Sequence, residues 1–235
     1  MKKLTSRAIA ALTNVMLALV VIVIGAICFL PAGTSVASGE GGKVIYRGAS
    51  EDGVSLMFNV YWGEEEVRGI LDVLDEYGAK ATFFIGGSWA DDNVDCLKDI
   101  AARGHEIGSH GYFHRDHGKL DYQGNLDEIS NSLKFINLAA GVQITLFAPP
   151  SGAYNDDTVA AAEALGLKTI MWSKDTIDWR DKNEADCYRR ATENVSGGDL
   201  VLMHPMAHTL KALPDILGYY KSQGLRAITV SENVG

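Results

Sequence analysis

The stretch VSLMFNVYWGEEEVRGILDVLDEYGAKATFFI, residues 54–85, holds the unit from which most of the chain is built. VSLMFNV (54–60) and KATFFI (80–85) are short runs rich in Val, Phe, Ile and Leu, residue types that favour a buried pleated backbone. Between them EEVRGILDVLDEYG is amphipathic and ends in Gly, which closes a helix where a left-handed cap is wanted. The pattern recurs. HEIGSH (105–110), TLFAP (145–149), KTIMWS (168–173), DLVLMH (199–204) and RAITV (226–230) continue the strands, separated by DDNVDCLKDIAARG, LDEISNSLKFINLAAG, DDTVAAAEALG, EADCYRRATENVSGG and TLKALPDILGYYKSQG. Seven strand–helix units imply an α/β fold with a parallel sheet, either closed into an incomplete barrel or open and doubly wound. In both, ligands bind at the carboxyl ends of the strands.

Polar residues gather at those ends. His110 ends the third strand, Pro149 and Pro150 end the fourth, Asp175 and Asp178 follow the fifth, and His204 ends the sixth, so all fall on one rim and point to a shared site. HEIGSHGYFHRDH (105–117) packs in four of the chain's six histidines. His110 and His114 are separated by GYF, a spacing that sets two imidazoles on one side of a helical turn or across a tight loop, as first-row metals require. The others read differently: His105 as a partly exposed strand residue, His117 within RDHGK as part of a solvated turn, and His208 as a solvated loop residue.

With 235 residues and 47% hydrophobic composition, the chain is long enough for one sizeable core. Residues 1–42 stand apart from it. Lys2, Lys3 and Arg7 precede an apolar run from Val15 to Leu30, 16 residues long or 23 if counted from Ala8, and a Gly/Ser-rich linker follows. This is an export segment, either a signal peptide, with a small-x-small site at Ser35–Ala37, or a membrane anchor; the basic side stays in the cytoplasm and residues 43–235 end up outside. Removing Lys2, Lys3 and Arg7 from 21 basic residues leaves 18 against 30 acidic ones, a net charge of about −12, which excludes nucleic acid as an expected partner. Cys28 lies in the apolar run; Cys96 and Cys187 remain, enough for one disulfide but no framework.

GHEIGSHGYFH, FAPPSG, WSKDTIDW and LVLMHP, in this order at the ends of successive strands and together with ATFFIGGSWA, resemble the polysaccharide deacetylases of carbohydrate esterase family 4, over residues 54–233. The resemblance implies an incomplete (β/α)7-type barrel and a divalent metal, zinc being the first expectation, that polarises an N-acetyl carbonyl of a glycan while a metal-bound water attacks. It implies His110 and His114 as metal ligands and His204 as the acid that protonates the leaving amine, with Asp175 or Asp178 orienting it. Trp179 then walls the acetyl pocket or stacks on a sugar, and Tyr61, Pro150 and Ser151 fall in the substrate groove.

The chain departs from the family pattern at two places. Where family members end the first strand with two aspartates, one a general base and one the third metal ligand, this chain has Asn59 and Val60 in MFNVYWG. Where they carry Arg-Pro-Pro-Tyr on the fourth strand, it has Ala148-Pro149-Pro150-Ser151. The two losses make one physical event, since an Arg without its carboxylate partner is an uncompensated buried charge costing about 3 to 5 kcal/mol. Glu64, in the Glu64–Glu66 run, either reaches back as ligand or base or simply favours the helix N-terminus, and Asp116 is a weaker substitute. The readings that follow are an exported deacetylase of peptidoglycan or a chitin-like glycan, a catalytically silent glycan-binding homologue, or a metal-dependent hydrolase or isomerase of unrelated substrate on a similar barrel.

Overall fold

A computed structural model of the chain describes residues 44–235, so the export segment expected at 1–42 lies outside the described residues. Eight parallel strands are formed: β1 (Gly53–Val60), β2 (Thr82–Ile85), β3 (Glu106–Ser109), β4 (Leu146–Phe147), β5 (Lys168–Thr169), β6 (Lys174–Asp175), β7 (Leu200–Met203) and β8 (Arg226–Ala227). They run in the order β5-β4-β3-β2-β1-β7-β6, with β8 paired to the first two residues of β1. This is the incomplete (β/α)7 barrel. The sequence predicts one strand over 168–173; two short pieces form instead, Lys168–Thr169 against β4 and Lys174–Asp175 against β7, because the run crosses from one end of the sheet path to the other, and Ile45 takes the open side of Ile170. The last strand is likewise cut short at Ala227, since Thr229 caps a terminal helix.

Burial explains the layering. Every residue of β1 is buried, as expected for a central parallel strand covered on both faces. Val54, Leu56, Phe58 and Val60 join the cluster beneath the helices, whereas Met57 faces inward with Phe84, Leu146, Ala148, Ile170 and Leu200 to fill the barrel. Helices α1 (Glu64–Glu76), α2 (Gly87–Asp92), α3 (Val94–Ala102), α4 (Tyr122–Ala140), α5 (Asp156–Ala164), α6 (Glu184–Thr192) and α7 (Ala207–Ser222) follow the strands. In α1 the buried Val67, Ile70, Leu71 and Leu74 recur at the spacing of one helical face. Gly141 ends α4 at φ 66°, a conformation that costs glycine nothing.

The two ends of the sheet path do not meet, and the chain closes the seam from elsewhere. Residues 45–47 lie across it, Ile45 bridging to Ile170 and Arg47 to Asp199. The Arg47 guanidinium also donates to Ser196 Oγ and the Gly197 carbonyl, both at 2.7 Å. At the opposite end of the barrel from the strand carboxyl termini, α8 (Val230–Val234) plugs the interior: Val230 N–H donates to Thr82 Oγ1 at 2.8 Å and its side chain joins the inner cluster. The barrel is thus plugged at the end away from the rim where the candidate residues gather. Cys96 in α3 and Cys187 in α6 are separate buried thiols, so no disulfide joins them. Among the described residues no helix is long and apolar enough to cross a membrane.

Candidate functional site

The third strand delivers His110 to the rim as its last ordered step. The ring is buried, and its Nδ1 lies 2.7 Å from the Ala148 carbonyl. A carbonyl can only accept, so Nδ1 carries the proton and Nε2 keeps a free lone pair. Burial, reinforced by the neighbouring imidazoles, pulls its pKa down to about 3 against the opposing effect of the carbonyl, so the ring is neutral at neutral pH. His114 sits at φ 54° on the exposed loop that follows, its ring centroid 5.4 Å from that of His110, and burial lowers its pKa as well. Two neutral imidazoles thus face one another, as metal ligation requires.

The side chain set against them is aromatic. Because β1 alternates, Val60 turns into the helix-side core while Tyr61 comes round to the rim, with its ring centroid 4.7 Å from His114 and 5.7 Å from His110. Its hydroxyl accepts from His114 N–H at 2.7 Å and donates to the Gly111 carbonyl at 3.2 Å. Burial pushes the phenol far above its ordinary pKa range, so it stays protonated and its hydrogen-bonding capacity is spent on the loop backbone. Tyr61 is therefore a staple for the 110–114 loop, and its ring is what stands against the two histidines. Gly86 is needed for this, since a Cβ there would stand 2.2 Å from the Tyr61 ring.

Asn59 faces inward from the same strand, 4% exposed, and its Oδ1 has no hydrogen-bond partner. Ala148, where the family carries Arg, packs with Met57, Phe84 and Ile170 in an apolar cluster that offers a guanidinium no counter-charge. Glu64 does not reach back: it pairs with Arg68 at 2.9 Å on the outer surface of α1. Asp116 pairs with Lys119 at 2.8 Å. Among the described residues no group of three or more His, Cys, Asp or Glu side chains is placed to hold a metal. His110 and His114 form two thirds of a metal site, and the residues present do not complete it.

The other half of the rim is fully built. His204 Nδ1–H donates to Asp178 Oδ1 at 2.7 Å, while His204 N–H and Thr209 Oγ1–H donate to Asp178 Oδ2 at 2.8 and 2.7 Å. Asp178 is completely buried; burial alone would raise its pKa, but the His204 ring, the Thr209 hydroxyl and the His204 N–H together outweigh it and hold the carboxyl below its usual range. Of the two aspartates it is Asp178 that meets His204. Asp175 instead accepts from Ile177 N–H at 2.8 Å, bracing a turn in which Ile177 takes φ 53°, and burial raises its pKa. Trp179 is half exposed beside Asp178, Ser151 is exposed at φ 56°, and Pro150 is buried near Gly111.

Three histidines differ from their sequence reading. His117 is completely buried, its Nδ1 2.7 Å from Asn125 Oδ1 and its ring against Phe147, because α4 reaches over the loop. His105 is buried edge-on to Phe83, with both nitrogens unpartnered and its pKa drawn down to about 4 by burial. His208 is half-buried, its Nε2 donating to the Asp178 carbonyl at 2.8 Å. Two further contributors escape the sequence reading. Glu128, buried on α4, accepts from Phe113 N–H and so fixes the loop bearing His114. Trp62 lies parallel to the His204 ring, 5.9 Å between centroids and 8° between planes. The signal for the first was polar Asn125, Glu128 and Ser132 on the same spacing as the apolar face of α4; for the second, an aromatic pair directly after strand one.

Comparison with known proteins matches this geometry to a family. Residues 47–170 match the family model described as polysaccharide deacetylase. The chain is 34% identical over 189 residues to the uncharacterized protein YlxY of Bacillus subtilis, covering 80% of this chain and 59% of that protein. It is 34% identical over 183 residues to the peptidoglycan-N-acetylglucosamine deacetylase PgdA of Listeria monocytogenes, covering 77% of this chain but only 39% of that one. Among solved structures, a CE4 family pseudoenzyme from Bacillus anthracis superposes with a TM-score of 0.80 at 34% identity, over 82% of this chain and 69% of that one. A mutant of a CE4 family pseudoenzyme described as having restored enzymatic activity superposes equally well, with a TM-score of 0.80 at 32% identity over 82% and 71% of the two chains.

Proposed function

The chain belongs to the polysaccharide deacetylase family, and from that premise we propose that it is an exported glycan-binding member, in which the hydrolytic site has become a groove for an N-acetylated cell-wall glycan such as peptidoglycan or a chitin-like polymer. The observation that carries this reading is the Tyr61 ring packed against His110 and His114 where a carboxylate ligand is required. Hydrolysis of an acetamide needs an activated water and a proton for the leaving amine. The second need falls to His204, whose Nδ1–H is held by Asp178 and whose Nε2 is the nitrogen left to carry and deliver the proton. Among the described residues nothing serves the first: Asn59 cannot take a proton at neutral pH, and no third ligand stands beside the histidines to hold zinc firmly. Pro150, Ser151 and Trp179 line the groove that remains.

Isothermal titration of the purified protein with N-acetylglucosamine oligomers, alongside acetate release from the same oligomers and from peptidoglycan with added zinc, tests the proposal. Saturable binding with acetate at the level of the blank is the expected result. The reading of an active deacetylase is favoured by the intact His204–Asp178 pair, and zinc-dependent acetate release would establish it in place of the binding role.

Export rests on Lys2, Lys3 and Arg7 ahead of the Val15–Leu30 run, with no acidic residue before Glu40. The N-terminal segment then meets the membrane at least while the chain crosses it. Protease added to intact cells is expected to digest the domain, unless it has already been released to the medium; a full-length chain protected inside the cell would rule export out.

A further inference from the structure

We propose that Trp62 is the stacking platform for a pyranose ring of the bound glycan, an inference that rests on the glycan-binding reading and names the residue that carries its affinity. The degenerate first motif ends in two adjacent aromatic side chains, and the rim uses them separately. Tyr61 goes against the histidine pair, and Trp62 goes over His204. The two halves of the former hydrolytic site are thereby each covered by one ring.

Trp62 is held where it stands. The loop before it is tied down by the Tyr61 hydroxyl, bonded to Gly111 and His114. The loop after it is pressed onto the chain beyond His204, because a Cβ on Gly63 would come within 2.5 Å of the Pro205 carbonyl oxygen. The indole is backed by the parallel His204 ring, yet the residue remains 41% exposed. With the chain tied on both sides of it and the His204 ring parallel to it, the partly exposed indole has less freedom for binding to remove than a free surface side chain has.

The surroundings select the occupant. His204 and the half-buried Asp175 stand within the same rim, so the ligand must present an apolar face to the indole and polar groups around it, as a pyranose does with its axial hydrogens and its ring of hydroxyls. A nucleobase would satisfy the indole equally well. The phosphates of a nucleotide would not suit a chain that carries, beyond residue 37, 30 acidic residues against 18 basic ones once Lys2, Lys3 and Arg7 are set aside from the 21.

The test is titration of the full-length protein with N-acetylglucosamine tetramer and hexamer, wild type against Trp62→Ala and Trp62→Phe. Trp62→Ala is expected to weaken binding about tenfold or more, the loss of one good aromatic stack, and Trp62→Phe to retain most of the affinity. A second measurement needs no variant: saturating hexamer should slow N-bromosuccinimide oxidation of Trp62, followed by peptide mass spectrometry, at least about threefold relative to free protein. Wild type that binds the oligomers while Trp62→Ala binds equally well, or Trp62 oxidised at the same rate with and without hexamer, would overturn the platform alone. Wild type that binds no oligomer would overturn the glycan-binding reading and the platform with it.

Discussion

The double variant Asn59→Asp/Tyr61→Asp is expected to bind zinc at least about tenfold more tightly than wild type and to release acetate that wild type does not. Position 59 faces the barrel interior with an orphaned acceptor, so an isosteric carboxylate keeps the shape of Asn59 but finds no donor among its neighbours and depends on the added zinc for its counter-charge. Position 61 already faces both histidines, so a carboxylate there supplies the third donor of the set whose other two members are neutral, His110 with its Nε2 lone pair available. A general base contributes about 10² to 10⁴ in rate, which sets the size of the effect. Tyr61 also staples the loop through Gly111 and His114, so the gain comes with some loss of order at 111–114; Phe113 N–H remains bonded to Glu128 and limits it. The contrasting variant Asn59→Asp/Val60→Asp follows the family spacing in place of the geometry. Because Val60 is completely buried in the helix-side core, that variant is expected to lower the melting temperature without creating a zinc site. Zinc titration and acetate assays on both decide the matter: activity in the Val60 variant and none in the Tyr61 variant would show that the end of β1 turns the other way.

The barrel was legible because its signals are local and repeated. Apolar runs on one side and glycine-closed amphipathic segments on the other recur often enough that a single misread unit does not alter the architecture. Where reading failed, the cause was tertiary. KTIMWS has the composition of one strand, but it crosses from β4 to β7 after Ile170, whose open side pairs with Ile45, and a partner 125 positions away leaves no mark in the run itself. The rim was legible in its residue types, since His110, His204 and Asp178 stand at strand ends or just beyond them. The choice between Asp175 and Asp178 was not, because it depends on a turn at Ile177 that sends one carboxylate to the backbone and the other to His204. His117 read as solvated because its neighbours Arg115, Asp116 and Lys119 are charged; what buries it is Asn125, contributed by α4. The direction of Val60 and Tyr61 likewise follows from the phase of β1 against its neighbours, and that phase is fixed by pairing Val60 with Ile85.

Asp178→Ala should be the most destabilising single change at the rim, lowering stability by about 3 to 5 kcal/mol, because three donors lose a buried acceptor and each stranded donor costs about 1 kcal/mol or more. For a domain of this size that is a fall of roughly 6 to 20 °C in melting temperature. Three donors converge on the two Asp178 oxygens, and each loses its acceptor in the alanine variant. Asp178→Asn separates charge from shape: it keeps the volume but offers one acceptor and turns an N–H₂ toward donors, so it should recover only a small part of the loss. The pH dependence has a definite sign. Asp178 has its pKa held below the ordinary value of about 3.9, so its contribution is fully present above that pH and is lost as pH falls through the lower folded value. The gap in melting temperature between wild type and Asp178→Asn should therefore be constant from neutral pH down to about 4 and narrow below it. Calorimetry across that range checks both statements; variants that melt within a degree or two of wild type at neutral pH would mean that the carboxylate's bonds to His204 and Thr209 do no more than offset the cost of burying it.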